Sequence, residues 1–191
     1  MLLGEIANVN TGLVLSRKKA EVSFEKKATY KLITLRNIIE DGLISTANLE
    51  EFDSNDKLDS HYFTKKGDIL MRLSEPNTAV LVGEEHENLL VPSYFVVIKV
   101  EDTNYLPAYV AWYLNTVEVK KSLERSQSGT TILSTNQRII KALEIKEMSL
   151  DQQQNITAIW QLHQKEKSLY RRLIDEKECW FKEITKQIIN Q

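Results

Sequence analysis

The stretch "SLDQQQNI" (149–156) opens a run of some forty residues that holds neither glycine nor proline. Ser149 followed three residues later by Gln152 has the form of a capping box, in which each side chain satisfies the other's orphan backbone N–H at a helix start. Beyond it, apolar or aromatic side chains fall at Ile156, Ile159, Leu162, His163, Leu169, Tyr170, Leu173, Trp180, Ile184 and Ile188, mostly three, four or seven apart. That spacing predicts one helix over 149–190 with a single apolar stripe. At 1.5 Å per residue such a helix is a rod of roughly 60 Å, about twice the width of the domain that precedes it. The rod is therefore expected to find a partner through Ile156, Ile159, Leu162, Leu169, Leu173, Trp180 and Ile184. Glu166 and Lys177 interrupt the stripe, so it is no uninterrupted zipper. A helix folded back over its own sheet is the alternative.

Working back toward the start, the texture is that of an α+β domain. "YKLITL" (30–35), "GDILMRLS" (67–74), "TAVLVG" (78–83) and "SYFVVIKV" (93–100) read as strands. The last is apolar almost throughout, so it is placed in the middle of a sheet. The polar stretch between the first two is expected to be loop with one short strand. "LPAYVAWYLNTVEVKKSLERS" (106–126) reads as one amphipathic helix with Pro107 in its first turn. "STNQRIIKAL" (134–143) suggests a short helix capped by Ser134 or Thr135, and "LEIKEM" a last short strand or an extended link. The expected division is a β-rich domain over 1–147 and a long coiled-coil-type helix over 148–191.

Composition narrows the function classes. The chain has 191 residues, 42% of them hydrophobic and 27% charged, which is ordinary globular material. No apolar run is long enough to span a bilayer, and the start lacks the pattern of a secretory signal. Cys179 is the sole cysteine, so no intrachain disulfide can form and a reducing, cytoplasmic setting is expected. The net charge of −2 hides an uneven distribution. Residues 1–36 hold seven Lys and Arg against three Glu, whereas residues 37–61 hold Lys57 against seven acids. Such a dipolar chain can offer one basic face to phosphates, or simply carry two solvated loops.

Catalytic patterns are missing. There is no phosphate-binding Gly-rich loop, and His61, His86 and His163 have no metal-ligand spacing. "GEEHEN" (83–88) gathers carboxylates and a histidine in what reads as a solvated turn. Cys179 beside Trp180 reads as a packing residue. No cofactor or metal is expected.

Several stretches, in order, resemble the specificity subunit of type I restriction–modification systems. "LGEIANVNTG" (3–12) is similar to that family's first strand and glycine turn. "GDILMRLSEPNTAVLV" resembles its Gly-Asp-Ile-Leu strand and the loop that follows. "VPSYFVVIKVEDTNYLPAYVAWYLNT" resembles its Ser-containing strand and Leu-Pro-x-Tyr helix. "SGTTILSTNQRIIKALEIKEMSLDQQQNI" is similar to its Gly-Thr loop, Leu-x-Ile strand and Gln-Ile helix start. The family commonly has prolines where this chain reads "EIKEMSLDQQQ".

The resemblance implies two target-recognition domains per subunit, each followed by a long helix, with the two helices antiparallel. One domain and one helix resemble half of that arrangement. It implies a homodimer through the C-terminal helix that reads double-stranded DNA as an interrupted palindrome. It further implies a separate methyltransferase (modification) subunit and, where one exists, a restriction subunit as partners, with no membrane and no catalysis of its own.

For readout, hydrogen-bonding side chains must face a groove and cations must meet phosphate. Arg17, Lys18 and Lys19 follow the glycine turn and are assigned mainly to phosphate. Arg36, Asn37 and Arg72 at strand ends are assigned to base edges, with a surface ion pair as the alternative. Ser74, Asn77, Ser93 and Tyr94 fall where the resemblance implies a DNA face. Gln127, Ser128, Gly129, Thr130 and Thr131 are candidates for bringing backbone N–H groups to a phosphate or base, although a helix C-cap also explains Gly129. The competing reading is an interaction protein that dimerises and occupies the modification subunit without reading DNA.

Overall fold

The computed structural model describes residues 1–39, 42–127 and 135–190, and divides into two compact units, Met1–Gln154 and Asn155–Gln191. At the heart of the first unit is a four-stranded antiparallel sheet. Its strands are β1 (Ala7–Thr11), β6 (Ile69–Arg72), β7 (Ala79–Leu81) and β8 (Phe95–Val100), in the order β1-β8-β6-β7. Two small ribbons complete the β structure: β2 (Ala28–Leu32) with β5 (Glu50–Ser54), and β3 (Ile38–Ile39) with β4 (Leu43–Ile44). The loop expected to hold one short strand thus holds two.

The sheet is covered on both faces, which explains why β8 reads as a continuous apolar run. Side chains alternate between faces along a strand. Leu70, Val80, Phe95 and Val97 join Ile33, Ile38, Leu89 and Val91 in one buried cluster. Their neighbours Val9, Ile69, Met71, Val96 and Ile98 are buried on the opposite face. Gly67 turns the chain into β6 with φ +85, a conformation glycine adopts without a Cβ clash.

The expected helix over 106–126 is two helices, α2 (Pro107–Leu114) and α3 (Val117–Gln127). Asn115 causes the break. Its side chain accepts a hydrogen bond from the Ala79 N–H at 3.0 Å and donates to the Ala79 carbonyl at 2.7 Å, as a neighbouring strand would. It also donates to the Ala111 carbonyl at 2.9 Å, closing α2. Nothing in the apolar spacing signals that role. The next helix, α4 (Gln137–Lys141), is capped by Asn136, whose carboxamide oxygen accepts from the Arg138 and Ile139 N–H groups, rather than by Ser134 or Thr135. "LEIKEM" is extended: Leu143 accepts from the Leu3 N–H at 2.8 Å and Ile145 donates to the Met1 carbonyl at 2.8 Å. A short first helix, α1 (Leu3–Ile6), precedes β1 where the sequence suggested only strand.

The last helix, α5 (Leu150–Ile189), is continuous over 40 residues. Its capping box is present: the Ser149 N–H donates to Gln152 Oε1 at 3.2 Å and the Gln152 N–H to Ser149 Oγ at 3.3 Å. Gln153, fully buried, does the remaining work of the motif. Its oxygen accepts from the Leu106 N–H at 2.8 Å, while its Nε2 donates to the carbonyls of Asn104 (2.8 Å) and Met148 (2.9 Å). The glutamine-rich helix start therefore ties the base of α5 to the loop that leads into α2.

Candidate nucleic-acid interface

Strand register gathers most of the candidate residues at one end of the four-stranded sheet. Thr11, the end of β1, pairs with Val96, and Arg72, the end of β6, pairs with Phe95, so both lie at the start of β8. The loops that leave there are Gly12–Lys19, Leu73–Thr78 and Pro92–Tyr94. Gly12 locks the first to the third. A Cβ at this position would lie 2.3 Å from the Pro92 carbonyl oxygen and 2.4 Å from that of Val91. In that close approach the Leu13 N–H donates to the Val91 carbonyl and the Ser93 N–H to that of Leu13, both at 2.8 Å. The Leu73 N–H donates to the Tyr94 carbonyl at 3.0 Å, which joins the second loop to the third.

Arg17 and Lys18 line a shallow groove with Thr11, His61 and Tyr62. Lys18 is ion-paired with Asp56 at 2.8 Å; that hydrogen bond and charge raise the lysine's pKa and lower the aspartate's. The three adjacent cations of "LSRKK" are thus Arg17 and Lys19, exposed, and Lys18, partly neutralised. His61 and Tyr62 stack with centroids 3.9 Å apart beside this groove. His61 has no metal-ligand spacing in the sequence, and its place beside the groove follows only from the fold.

The loop after β6 carries the more informative geometry. Arg72 donates from its terminal nitrogen to the Glu75 carbonyl at 3.4 Å, while its Nε is buried without a hydrogen-bond partner. Lys120 of α3 donates to the carbonyls of Pro76 (2.5 Å) and Asn77 (2.6 Å). Burial, and secondarily the Arg72 charge, bring the Lys120 pKa down to about 8. Neither cation forms an ion pair among the described residues. Two positive charges are therefore held beside one loop and bonded only to neutral carbonyls. Lys120 was not legible in the sequence, where nothing separates it from Lys121. Tyr94, half-buried, has its phenol pKa pushed up to about 12 by burial and then by Glu50.

Two asparagines need correction. Asn37 is 2% exposed and its amide is committed internally: it accepts from the Thr34 N–H and hydroxyl, both at 2.8 Å, and donates to the Ser45 and Ala47 carbonyls. A base edge cannot reach it. Asn77 is also buried, at φ +50, and donates to the Arg72 and Leu73 carbonyls at 3.2 and 3.1 Å. It shapes the loop rather than faces outward. Ser74 sits in the same turn, accepting from the Asn77 N–H at 2.9 Å. Arg36 is exposed beside Leu35, which packs on the same core as Tyr94. Gln127 ends α3, and Ser128, Gly129, Thr130 and Thr131 lie outside the described residues. Thr135, which follows them, donates its N–H to the Leu73 carbonyl at 2.7 Å and keeps a buried hydroxyl without a hydrogen-bond partner.

Among the described residues no group of three or more His, Cys, Asp or Glu is arranged to hold a metal, and no helix is long and apolar enough to cross a membrane. Cys179 is exposed on α5 rather than packed.

No family model matches the sequence, and no curated protein matches it. Solved structures do match. The HsdS subunit from Thermoanaerobacter tengcongensis superposes with a TM-score of 0.66 at 17% identity, over 91% of this chain and 43% of its own. A chain from a structure of the type I R-M system, described for its complex assembly and conformational transition, gives 0.62 at 14% identity, over 96% and 42%. The type I restriction–modification system S subunit from M. genitalium gives 0.54 at 13% identity, over 90% and 40%. The fold is that of type I specificity subunits: a mixed α+β domain with antiparallel sheets and a long C-terminal helix. This chain spans about two fifths of the length of those it matches.

Proposed function

We propose that this protein is the DNA-recognition subunit of a type I restriction–modification system. It has no catalysis of its own and lends sequence specificity to a separate methyltransferase subunit and, where one exists, to a restriction subunit. The observation that carries this reading is the sheet end of an S-subunit fold on which Arg72 and Lys120 are held without carboxylate partners. A cation so placed gains most when an external anion arrives, and a DNA backbone supplies one at every step. Arg72 then serves base-edge readout beside Ser74, Ser93 and Tyr94, while Lys120, Arg17 and Lys19 meet phosphates.

In this reading residues 1–147 are the target-recognition domain and residues 148–191 the spacer. Two copies pair antiparallel through α5 and read two identical half-sites as an interrupted palindrome. The support is the exposed stripe on α5, where Ile159 and Leu162 are each 69% exposed and Trp180 66%. The test is duplex binding at several salt concentrations. Specific binding whose affinity falls steeply with salt is expected.

A second reading is favoured by the inward-turned asparagines and by the Lys18–Asp56 pair. It is an interaction protein that binds the modification subunit and does not read DNA. A stable complex with that subunit and equal, weak affinity for all duplexes would select it.

A further inference from the structure

The apolar stripe of α5 is interrupted twice, by Glu166 and by Lys177. These breaks have opposite charge and equal offsets from one point: Glu166 lies five residues before Arg171, and Lys177 five after Arg172. Rotating by about 100° per residue, Ile159, Glu166, Lys177 and Ile184 fall within about 20° of one another, along the middle of the apolar face. Leu162, Leu169, Leu173 and Trp180 flank that line on one side, and Tyr170, Ile174 and Phe181 on the other. Ile174 and Phe181, 57% and 64% exposed, widen the stripe beyond the expected set.

When two copies are laid antiparallel about the Arg171–Arg172 midpoint, the central levels of the face meet complementary partners, while Trp180 comes level with His163 and Ile156, nearer the end, with Gln187. Ile159 comes level with Ile184, Leu162 with Phe181, Leu169 with Ile174, and Tyr170 with Leu173. Glu166 comes level with Lys177, once on each side of the two-fold. Outside the face, Lys165 and Lys167 come level with Glu178 and Glu176. Sliding the register instead sets Glu166 or Lys177 against an aliphatic or aromatic side chain, which buries an uncompensated charge. Within its own helix Glu166 reaches only the His163 ring at 3.6 Å and the Tyr170 hydroxyl at 3.5 Å, and Lys177 forms no ion pair among the described residues.

We propose that Glu166 and Lys177 are the register keys of an antiparallel dimer of this chain, Glu166 of one copy facing Lys177 of the other. Charged residues inside an otherwise apolar seam lower stability but select one alignment. The proposal rests on the dimer reading above and fixes its geometry, and hence the separation of the two recognition domains.

The test uses the full chain with Cys179→Ser. Glu166→Cys and Lys177→Cys are made singly, equilibrated together and mildly oxidised. A disulfide between the two different variants is expected. Self-crosslinking of Glu166→Cys is not, because its two copies lie roughly 16 Å apart along the axis. Light scattering on the unmodified chain separates the two claims. A monomer overturns the dimer reading and this proposal with it. A dimer in which Glu166→Cys crosslinks to itself overturns the register alone. Independently, Glu166→Lys should raise the dimer dissociation constant at least tenfold by facing like charges. The exchanged pair Glu166→Lys with Lys177→Glu should restore it. A double variant no tighter than either single one contradicts the register.

Discussion

Raising the pH from 7 to 9 should weaken DNA binding through loss of the Lys120 charge. Lysine ordinarily titrates near 10.5, and burial together with Arg72 brings Lys120 to about 8. Between about 8 and 10.5 the unfolded chain holds a proton that the folded chain has lost, so stability gains from this group as pH rises, and its destabilising contribution is full below 8. In the proposed complex DNA would reverse the preference, because a phosphate beside Lys120 favours the ammonium form. With a pKa of about 8 the charged fraction falls from about 0.9 at pH 7 to about 0.1 at pH 9. If only that form binds, the dissociation constant rises about tenfold. The assay is fluorescence anisotropy of a labelled duplex at fixed ionic strength across this range. Lys120→Arg stays charged and should flatten the profile while leaving affinity at pH 7 nearly unchanged. A wild-type profile as flat as that of Lys120→Arg would refute the reasoning and remove Lys120 from the interface.

Other outcomes test other parts of the account. Arg72→Ala should lose about 1–3 kcal/mol of discrimination between target and non-target duplex, with Arg36→Ala giving a smaller loss in the same competition assay. Lys18→Ala should weaken all duplexes alike and only slightly, since Asp56 already holds that charge. Gln153→Leu keeps the bulk but orphans the Leu106 N–H and two carbonyls; a loss of about 3 kcal/mol in urea unfolding is expected, and under 0.5 kcal/mol would contradict the clamp. Leu173→Glu should give a folded monomer in light scattering that binds a half-site but no longer favours a palindromic duplex.

How much of this was legible depended on whether the signal was local. The capping box at Ser149 and Gln152, strands β6, β7 and β8 of the main sheet and the continuous last helix rest on short-range patterns, and each is present. "YKLITL" instead pairs in the separate β2–β5 ribbon, and β1 was indicated only by the family resemblance. Roles set by distant partners were not legible. Asn115 breaks a helix because β7 offers it a free edge, and Asn37 is buried because Ser45 and Ala47 accept from it; neither follows from residue type. The same holds for the candidate site. Arg72 was visible as a cation at a strand end, whereas Lys120 acquired its place only when α3 came beside the Pro76–Asn77 carbonyls. Gly12 was recognisable as a turn, but the contact with Val91 and Pro92 that requires it was not.

The central claim is that this chain chooses the DNA sequence a partner methyltransferase modifies. The direct measurement is to express the chain with that modification subunit in a host that lacks type I methylation and to map methylated bases across the genome. One interrupted palindrome, methylated only when the chain is present and changed or lost with Arg72→Ala, is the result predicted. Methylation at the same sites without the chain, or a stable complex that methylates no defined sequence, would contradict it.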